Sequence, residues 1–137
     1  MATVLVVEDS PTNMKLAVLL LRDAGHRVLC AADAETGLEF ALAEQPDVIL
    51  MDIRLPGIDG LAATTLLKHN PATTAIPVIA LSALATRQDE ERSRTAGCDA
   101  YIVKPLRYKD LYDVVDRLLG GYERSAAPTA PAGLSPS

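Results

Sequence analysis

The sequence contains no apolar run long enough to cross a membrane. Apolar segments such as residues 78–81 (VIAL) have the length of a strand, whereas a membrane-spanning helix needs about 20 apolar residues. No basic segment precedes the first apolar run, which begins at Val4, so the pattern of a secretion signal is missing as well. We therefore expect a cytoplasmic protein that does not bind a membrane.

Cysteine and basic charge are also scarce. The two cysteines, Cys30 and Cys98, lack the close spacing of metal ligands, and a chain of this size does not need a disulfide. Both are expected to be reduced thiols in the core. The chain has 13 Lys and Arg against 18 Asp and Glu, a net charge of -5. Because nucleic-acid binding depends on a basic surface, nucleic acid is not expected to be a direct partner.

Large apolar side chains are almost missing from residues 125–137, which are rich in proline, alanine and serine. Such a segment cannot bury enough apolar surface to offset the entropy of ordering it. The whole chain of 137 residues has the length of one domain. We predict one domain over residues 1–124 and a disordered tail over residues 125–137.

Before this tail, β-rich apolar segments alternate with helical patterns. The predicted strands cover residues 4–7, 27–31, 48–51, 78–81 and 101–103. Between the first two, Met14, Ala17, Val18 and Leu21 recur at the spacing of a helix that lies on a sheet. Strict alternation favours a parallel sheet with helices on both faces. We predict a doubly wound, flavodoxin-like α/β domain with five helices and a five-stranded parallel sheet in the common order 2-1-3-4-5.

Capping residues predict where the helices begin and end. Pro11 suits the first position of the first helix, and Asp33 suits the N-cap of the second, which would turn Leu38, Ala41 and Leu42 inward. Residues 59–60 are expected to open the third helix. The fourth helix has capping-box spacing from Thr86 to Asp89 and is expected to end at residues 96–97. The fifth helix is expected to bury Leu111, Val115 and Leu118 and to stop at residues 120–121.

Polar residues follow four of the predicted strands. Glu8 and Asp9 follow the first strand, Asp52 the third, Ser82 the fourth and Lys104 the fifth. The carboxyl ends of parallel strands share one edge of a sheet, and ligands bind there where the winding reverses. Each residue alone has an ordinary structural explanation as a helix cap or a turn residue. Their joint occurrence at one edge is what indicates a functional site.

Three carboxylates at one point repel each other, and a cation relieves the repulsion. Ligands that are all oxygen favour Mg²⁺, which commonly binds one or two carboxylates together with a phosphate oxygen. Lys104 and Ser82 offer an ammonium group and a hydroxyl that could steady the oxygens of a transferring phosphoryl group. One carboxylate could then act as the nucleophile and form an aspartyl phosphate.

Four motifs resemble the receiver domain of two-component response regulators, over residues 2–121. They are residues 4–9 (VLVVED), 49–60 (ILMDIRLPGIDG), 79–83 (IALSA) and 99–105 (DAYIVKP). Within that family, residues 13–16 (NMKL), 89–92 (DEER) and 97–98 (GC) are similar to the single-domain cell-polarity regulators of the DivK type.

The resemblance implies a role for each site residue. The implied roles are phosphoacceptor for Asp52; Mg²⁺ ligands for Glu8, Asp9, Asp52 and the backbone carbonyl of Arg54; phosphoryl contact for Lys104; switch hydroxyl for Ser82; and switch aromatic for Tyr101. It also implies a cis peptide bond before Pro105, a loop shaped by Gly57 and Gly60, and tuning of dephosphorylation by the Arg54 side chain and Leu84.

The implied function is a stand-alone signalling protein rather than an enzyme, since it would catalyse only its own phosphorylation and dephosphorylation. A histidine kinase or a histidine phosphotransfer protein would dock on the first helix and pass its phosphoryl group to Asp52. The response would change the face made by helix four, strand five and helix five, near Leu84, Arg87 and Tyr101. That face would bind a downstream protein or support a weak homodimer.

Three other functions remain open at this point. A flavin or nucleotide carrier needs a Gly-rich or Ser/Thr-rich phosphate loop where Glu8 and Asp9 stand, and it would show a visible absorbance band. A metal-dependent phosphatase with Asp52 as nucleophile would want a second acid or base at the position of Arg54, and would turn over a phosphate ester. A scaffold with an inert acidic pocket would not bind Mg²⁺.

Overall fold

Five parallel strands and five helices alternate along the chain in a computed structural model that describes residues 2–126. The strands are β1 (Thr3–Val7), β2 (Arg27–Ala31), β3 (Val48–Asp52), β4 (Val78–Ser82) and β5 (Ala100–Val103). The helices are α1 (Pro11–Asp23), α2 (Ala34–Glu44), α3 (Gly60–His69), α4 (Arg87–Ala96) and α5 (Tyr108–Ala126). The sheet order β2-β1-β3-β4-β5 confirms the predicted fold.

The core lies on both faces of the sheet. Every residue of β3 and β4 is buried, as expected for central strands of a parallel sheet that is covered on both sides. Alternate side chains of one strand enter opposite layers: Ile49 and Met51 pack with residues of α2 and α3, whereas Val48 and Leu50 pack with residues of α1 and α5. The core on both faces therefore fixes the positions of the neighbouring strands β1 and β3, whose ends carry the predicted site.

Side-chain caps begin four of the helices near the carboxyl edge of the sheet. The Ser10 hydroxyl accepts a hydrogen bond from the Asn13 N–H at 3.3 Å, and Asp33 and Asp59 cap α2 and α3 in the same way at 2.8 Å. Thr86 caps α4 by accepting from the Asp89 N–H at 3.1 Å. The starts of α2, α3 and α4 were predicted from these capping residues and the start of α1 from Pro11, and the structure confirms all four.

Three predictions about packing and helix length are wrong. Leu42 is 48% exposed, because it lies one residue, or about 100° around the helix, from the buried Ala41. Cys30 is exposed on the edge strand β2 rather than buried, although both cysteines are free. Helix α5 does not stop at residues 120–121 but continues to Ala126, since a helix can tolerate a cost of about 1 kcal/mol for each glycine.

The predicted tail over residues 125–137 falls mostly outside the described part of the chain. Helix α5 includes its first two residues, and residues 127–137 are beyond the described range. Among the helices in residues 2–126, none combines the length and the apolar character that a membrane crossing would require.

Candidate functional site

The register of the parallel strands brings the predicted site residues to one edge of the sheet. Val7 pairs with Met51, so Glu8 and Asp52 are the next residues on adjacent strands. Asp52 pairs with Leu81, and Ser82 pairs with Val103, which places Lys104 after the neighbouring strand end. Side chains from four strand ends therefore surround one point.

A cluster of three carboxylates occupies the point between β1 and β3. One carboxylate oxygen from each of Glu8, Asp9 and Asp52 lies within 4.8 Å of the other two. Glu8 is 2% exposed and Asp52 is 3% exposed, whereas Asp9 is open to solvent. Burial strengthens repulsion between like charges, so this cluster requires a positive charge.

Lys104 supplies part of that charge. Its Nζ lies 3.0 Å from Glu8 Oε1 and 3.1 Å from Asp52 Oδ2. Burial by itself would lower the pKa of Lys104, but the carboxylates of Glu8 and Asp52 outweigh that effect and raise the pKa. The Lys104 ammonium group is therefore held in its charged form between the two buried acids.

Glu8 keeps an acceptor atom that the protein does not fully satisfy. Its Oε2 accepts a hydrogen bond from the Ser10 N–H at 3.1 Å, but within the described residues Oε1 has no hydrogen-bond partner of ordinary geometry. Burial raises the pKa of Glu8, the Ser10 hydrogen bond partly opposes this, and the neighbouring Asp52 adds to the increase. Oε1 still faces the Lys104 ammonium group at 3.0 Å, but the three clustered carboxylates carry more negative charge than this lysine offsets, which fits a divalent cation with oxygen ligands.

The loop after β3 folds back closely on Asp52. The Arg54 N–H donates to Asp52 Oδ1 at 3.1 Å, and the Gly60 N–H donates to the Ile53 carbonyl at 2.8 Å. A Cβ atom at Gly60 would lie 2.0 Å from the Asp52 carbonyl oxygen, and Gly57 has a φ of +75°. Only glycine permits this close approach and this backbone conformation, so both glycines shape the loop that carries Arg54.

Ser82 and Tyr101 meet the loop between β4 and α4. The Ser82 hydroxyl lies 3.0 Å from Asp89 Oδ2 and 3.2 Å from the Leu84 carbonyl, and it accepts from the Leu84 N–H at 3.0 Å. The Tyr101 hydroxyl donates to the same Leu84 carbonyl. The sequence predicts Asp89 as part of a helix cap and of the motif at residues 89–92, but it does not predict the contact with Ser82. The available signal was an acid in the first turn of the helix that follows a strand-terminal serine.

The remaining expected features lie around this site. The peptide bond between Lys104 and Pro105 is cis, as the resemblance implied. Leu84, whose carbonyl is bound by Tyr101, is 39% exposed, and Arg87 at the start of α4 is also exposed. On α1, Leu16 and Leu19 are exposed at 36% and 58%, and Leu16 lines a small cavity together with Glu8 and Lys104.

A buried carboxylate beside an ammonium group, with a hydroxyl at the end of the neighbouring strand, can perform one kind of chemistry well. The carboxylate can attack an electrophilic phosphorus atom, and the positive and hydrogen-bonding groups can stabilise the charge on the phosphoryl oxygens. The nearby carboxylates of Glu8 and Asp9 would repel a phosphate group unless a cation lay between them. The arrangement therefore suits cation-assisted phosphoryl transfer to Asp52.

Comparisons with known proteins agree with this description. The family described as the response regulator receiver domain matches residues 4–116. The polar-differentiation response regulators DivK of Brucella anthropi and Brucella ovis are each 40% identical over 118 residues, which are 86% of this chain and 96% of theirs.

Two of the solved structures that share the fold differ in their sequence identity to this chain. The receiver domain of the sensor histidine kinase PA1611 of Pseudomonas aeruginosa PAO1, with a magnesium ion coordinated in its active-site cleft, has a TM-score of 0.81 and 35% identity, covering 87% of this chain and 98% of that one. The chemotaxis protein CheY4 of Vibrio cholerae has a TM-score of 0.82 and 27% identity, covering 87% of this chain and 99% of its own.

Proposed function

Because the chain belongs to the response regulator receiver family, we propose that it signals by accepting a phosphoryl group on Asp52 in a Mg²⁺-dependent reaction. The donor is a phosphorylated histidine on a kinase or on a phosphotransfer protein. The observation that carries the proposal is the burial of Asp52, at 3% exposure, within a cluster of carboxylates that also contacts Lys104.

Asp52 is the proposed nucleophile because of its surroundings. The Arg54 N–H binds Oδ1, and the Lys104 ammonium group faces Oδ2, so both oxygens are oriented before the donor arrives. One carboxylate oxygen attacks phosphorus, the bond from phosphorus to the donor histidine nitrogen breaks, and that nitrogen keeps the electron pair. Lys104 then stabilises the phosphoryl oxygens, and Ser82 donates its hydroxyl to one of them.

The proposed metal ligands are Glu8, Asp9, Asp52 and the backbone carbonyl of Arg54. Carboxylate and carbonyl oxygens are the ligands that Mg²⁺ prefers, and one carboxylate oxygen from each of Glu8, Asp9 and Asp52 lies within 4.8 Å of the other two. When bound, Mg²⁺ supplies positive charge that offsets the acids and the incoming phosphoryl oxygens. A receiver domain that resembles this chain carries magnesium in its active-site cleft, which supports the choice of ion.

The proposed partners follow from the family and from the surfaces described above. Helix α1, with its exposed Leu16 and Leu19, is the proposed docking surface for the phosphodonor. The face formed by α4, β5 and α5 is the proposed contact for a downstream protein or a weak homodimer. The proposal includes a cytoplasmic location, a receiver domain over residues 1–124 with a tail over residues 125–137, and no turnover of an external substrate.

Incubation with acetyl phosphate and Mg²⁺, followed by intact mass measurement, tests the function. We expect a single phosphoryl adduct per chain, mapped to Asp52. Continuous release of phosphate from an added phosphate ester, without an adduct, would favour the metal-dependent phosphatase. Failure to form an adduct and to bind Mg²⁺ would favour the inert scaffold.

Binding of Mg²⁺ should stabilise the folded protein, because the ion relieves repulsion that exists only when the acids are brought together. At a Mg²⁺ concentration of 100 times its dissociation constant, the free energy of unfolding should rise by about 2.7 kcal/mol. Thermal unfolding with and without Mg²⁺ measures this. Asp9→Asn should reduce the increase, whereas Asp116→Asn, an exposed acid on α5, should not. If millimolar Mg²⁺ left the unfolding temperature unchanged, this result would contradict the proposed metal site.

Replacing Ser82 by alanine should separate phosphorylation from the response. Labelling of Asp52 should persist, because the nucleophile and Lys104 remain. The change in NMR shifts of α4 on phosphorylation should become smaller, since the hydroxyl that links the phosphoryl group to the loop is gone. The wild-type protein provides the reference, and identical α4 shifts in its two states would contradict a switch through Ser82.

A further inference from the structure

The Ser82 hydroxyl already has an acceptor on helix α4. Its Oγ lies 3.0 Å from Asp89 Oδ2, and this contact is buried. The Leu84 carbonyl is a second acceptor at 3.2 Å. A hydroxyl has one proton, and a charged acceptor makes the stronger hydrogen bond. In the conformation described, the proton of Ser82 therefore points to α4 rather than to Asp52.

Asp89 is placed unusually for an acid in the first turn of a helix. The Asp89 N–H donates to Thr86 Oγ1 at 3.1 Å, which is one half of a capping box. In the other half the acid would reach back to the N–H of the capping residue, but among the described residues no hydrogen bond joins the Asp89 carboxylate to Thr86. Asp89 is instead 7% exposed and turned toward Ser82.

The hydroxyl of Ser82 cannot donate its proton to Asp89 and to a phosphoryl oxygen at the same time. We infer that Asp89 is a positioning residue that holds the Ser82 hydroxyl away from the phosphoryl site in the unphosphorylated protein and couples the state of Asp52 to the position of α4. This inference rests on the proposed function, since it assigns Ser82 the role of a phosphoryl contact.

Moving Ser82 changes the surroundings of both the loop and the helix. The same Oγ that contacts Asp89 also accepts from the Leu84 N–H at 3.0 Å, and the Leu84 carbonyl is bound by Tyr101. Once Ser82 turns to the phosphoryl group, the Asp89 carboxylate retains its ion pair with the exposed Arg92, whose guanidinium lies 3.4 Å away. A buried carboxylate that loses a partner is unfavourable, so the first turn of α4 moves to bring Asp89 toward solvent and Arg92.

The test uses beryllofluoride, which mimics a phosphoryl group on a carboxylate, in saturating Mg²⁺. If the contact with Asp89 keeps most of the protein in a state that binds poorly, removing it raises the apparent affinity. Asp89→Ala should lower the apparent dissociation constant by roughly 3- to 10-fold, the effect of one net hydrogen bond. NMR titration of amides in β4 and α4 measures this constant. Asp89→Asn, which keeps an acceptor oxygen, should fall between Asp89→Ala and wild type.

Two controls distinguish positioning of Ser82 from simple stabilisation of the helix. Glu90→Ala removes an exposed acid from the same helical turn and should leave the constant within about twofold of wild type. In a Ser82→Ala background, Asp89→Ala should have no further effect, because the hydroxyl that it restrains is missing. A change that persists without Ser82, or wild-type affinity for Asp89→Ala, would overturn the inference while the proposed function stands. A wild-type protein that binds no beryllofluoride would overturn the proposed function and the inference with it.

Discussion

Asp52→Asn should abolish labelling by acetyl phosphate, leaving less than about one part in 10³ of the wild-type rate. The amide keeps the shape of the carboxylate but is a far weaker nucleophile, so the covalent step cannot proceed. Intact mass after incubation with acetyl phosphate and Mg²⁺ should show the unmodified chain. Asp52 is buried, with an N–H on one oxygen and Lys104 on the other, so both oxygens of the wild-type carboxylate are oriented for the attack that the amide cannot make.

The control for Asp52→Asn is the same change at an acid outside the site. Asp99 is not suitable, because it pairs with Lys68 and accepts a hydrogen bond from the Val78 N–H. Asp116→Asn, on the exposed side of α5, is the better match and should label like wild type. An adduct on the Asp52→Asn protein that maps to Glu8 or Asp9 would remove Asp52 from its proposed role. The same adduct would leave the acidic cluster as the reactive site.

Lys104→Met should slow phosphorylation and destabilise the metal-free protein, and it should increase the stabilisation that Mg²⁺ provides. Labelling should slow by roughly 10²- to 10³-fold, the usual effect of removing one group that stabilises transition-state charge. Without Mg²⁺, the free energy of unfolding should fall by about 3 kcal/mol, because Glu8 and Asp52 lose their positive partner while they stay buried. Stabilisation by added Mg²⁺ should be larger than in wild type, since more repulsion remains for the ion to relieve.

Labelling rates measure the effect of Lys104→Met on phosphorylation. Chemical denaturation with and without Mg²⁺ measures its effects on stability. Lys109→Met replaces an exposed lysine and should alter neither the labelling rate nor the free energy of unfolding. Adding Glu8→Gln to Lys104→Met should restore part of the lost stability in the absence of Mg²⁺, because it removes one of the two facing charges. If Lys104→Met were as stable as wild type and gained no more from Mg²⁺, the charges at the site would not be coupled as described.

The sequence was sufficient to predict most of the fold and the location of the site. Local signals identified the strands and the caps Asp33, Asp59 and Thr86, because a cap depends on residues within one turn. Glu8, Asp52 and Lys104 could be placed at one edge from their positions after three strands, since parallel strands end together. The errors at Cys30 and Leu42 arose because exposure depends on whether a neighbouring element covers a residue, which local patterns do not reveal.

What the sequence by itself determined is therefore the set of elements, their order and the chemistry available at the strand ends. Only the tertiary structure decided which partner each polar atom takes. Lys104 could have pointed to solvent, yet it lies between Glu8 and Asp52, and Asp89 could have closed an ordinary capping box, yet it faces Ser82. The physical reason is that a buried polar atom binds the nearest group able to satisfy it, and which group is nearest is decided only when the sheet and its helices have packed together.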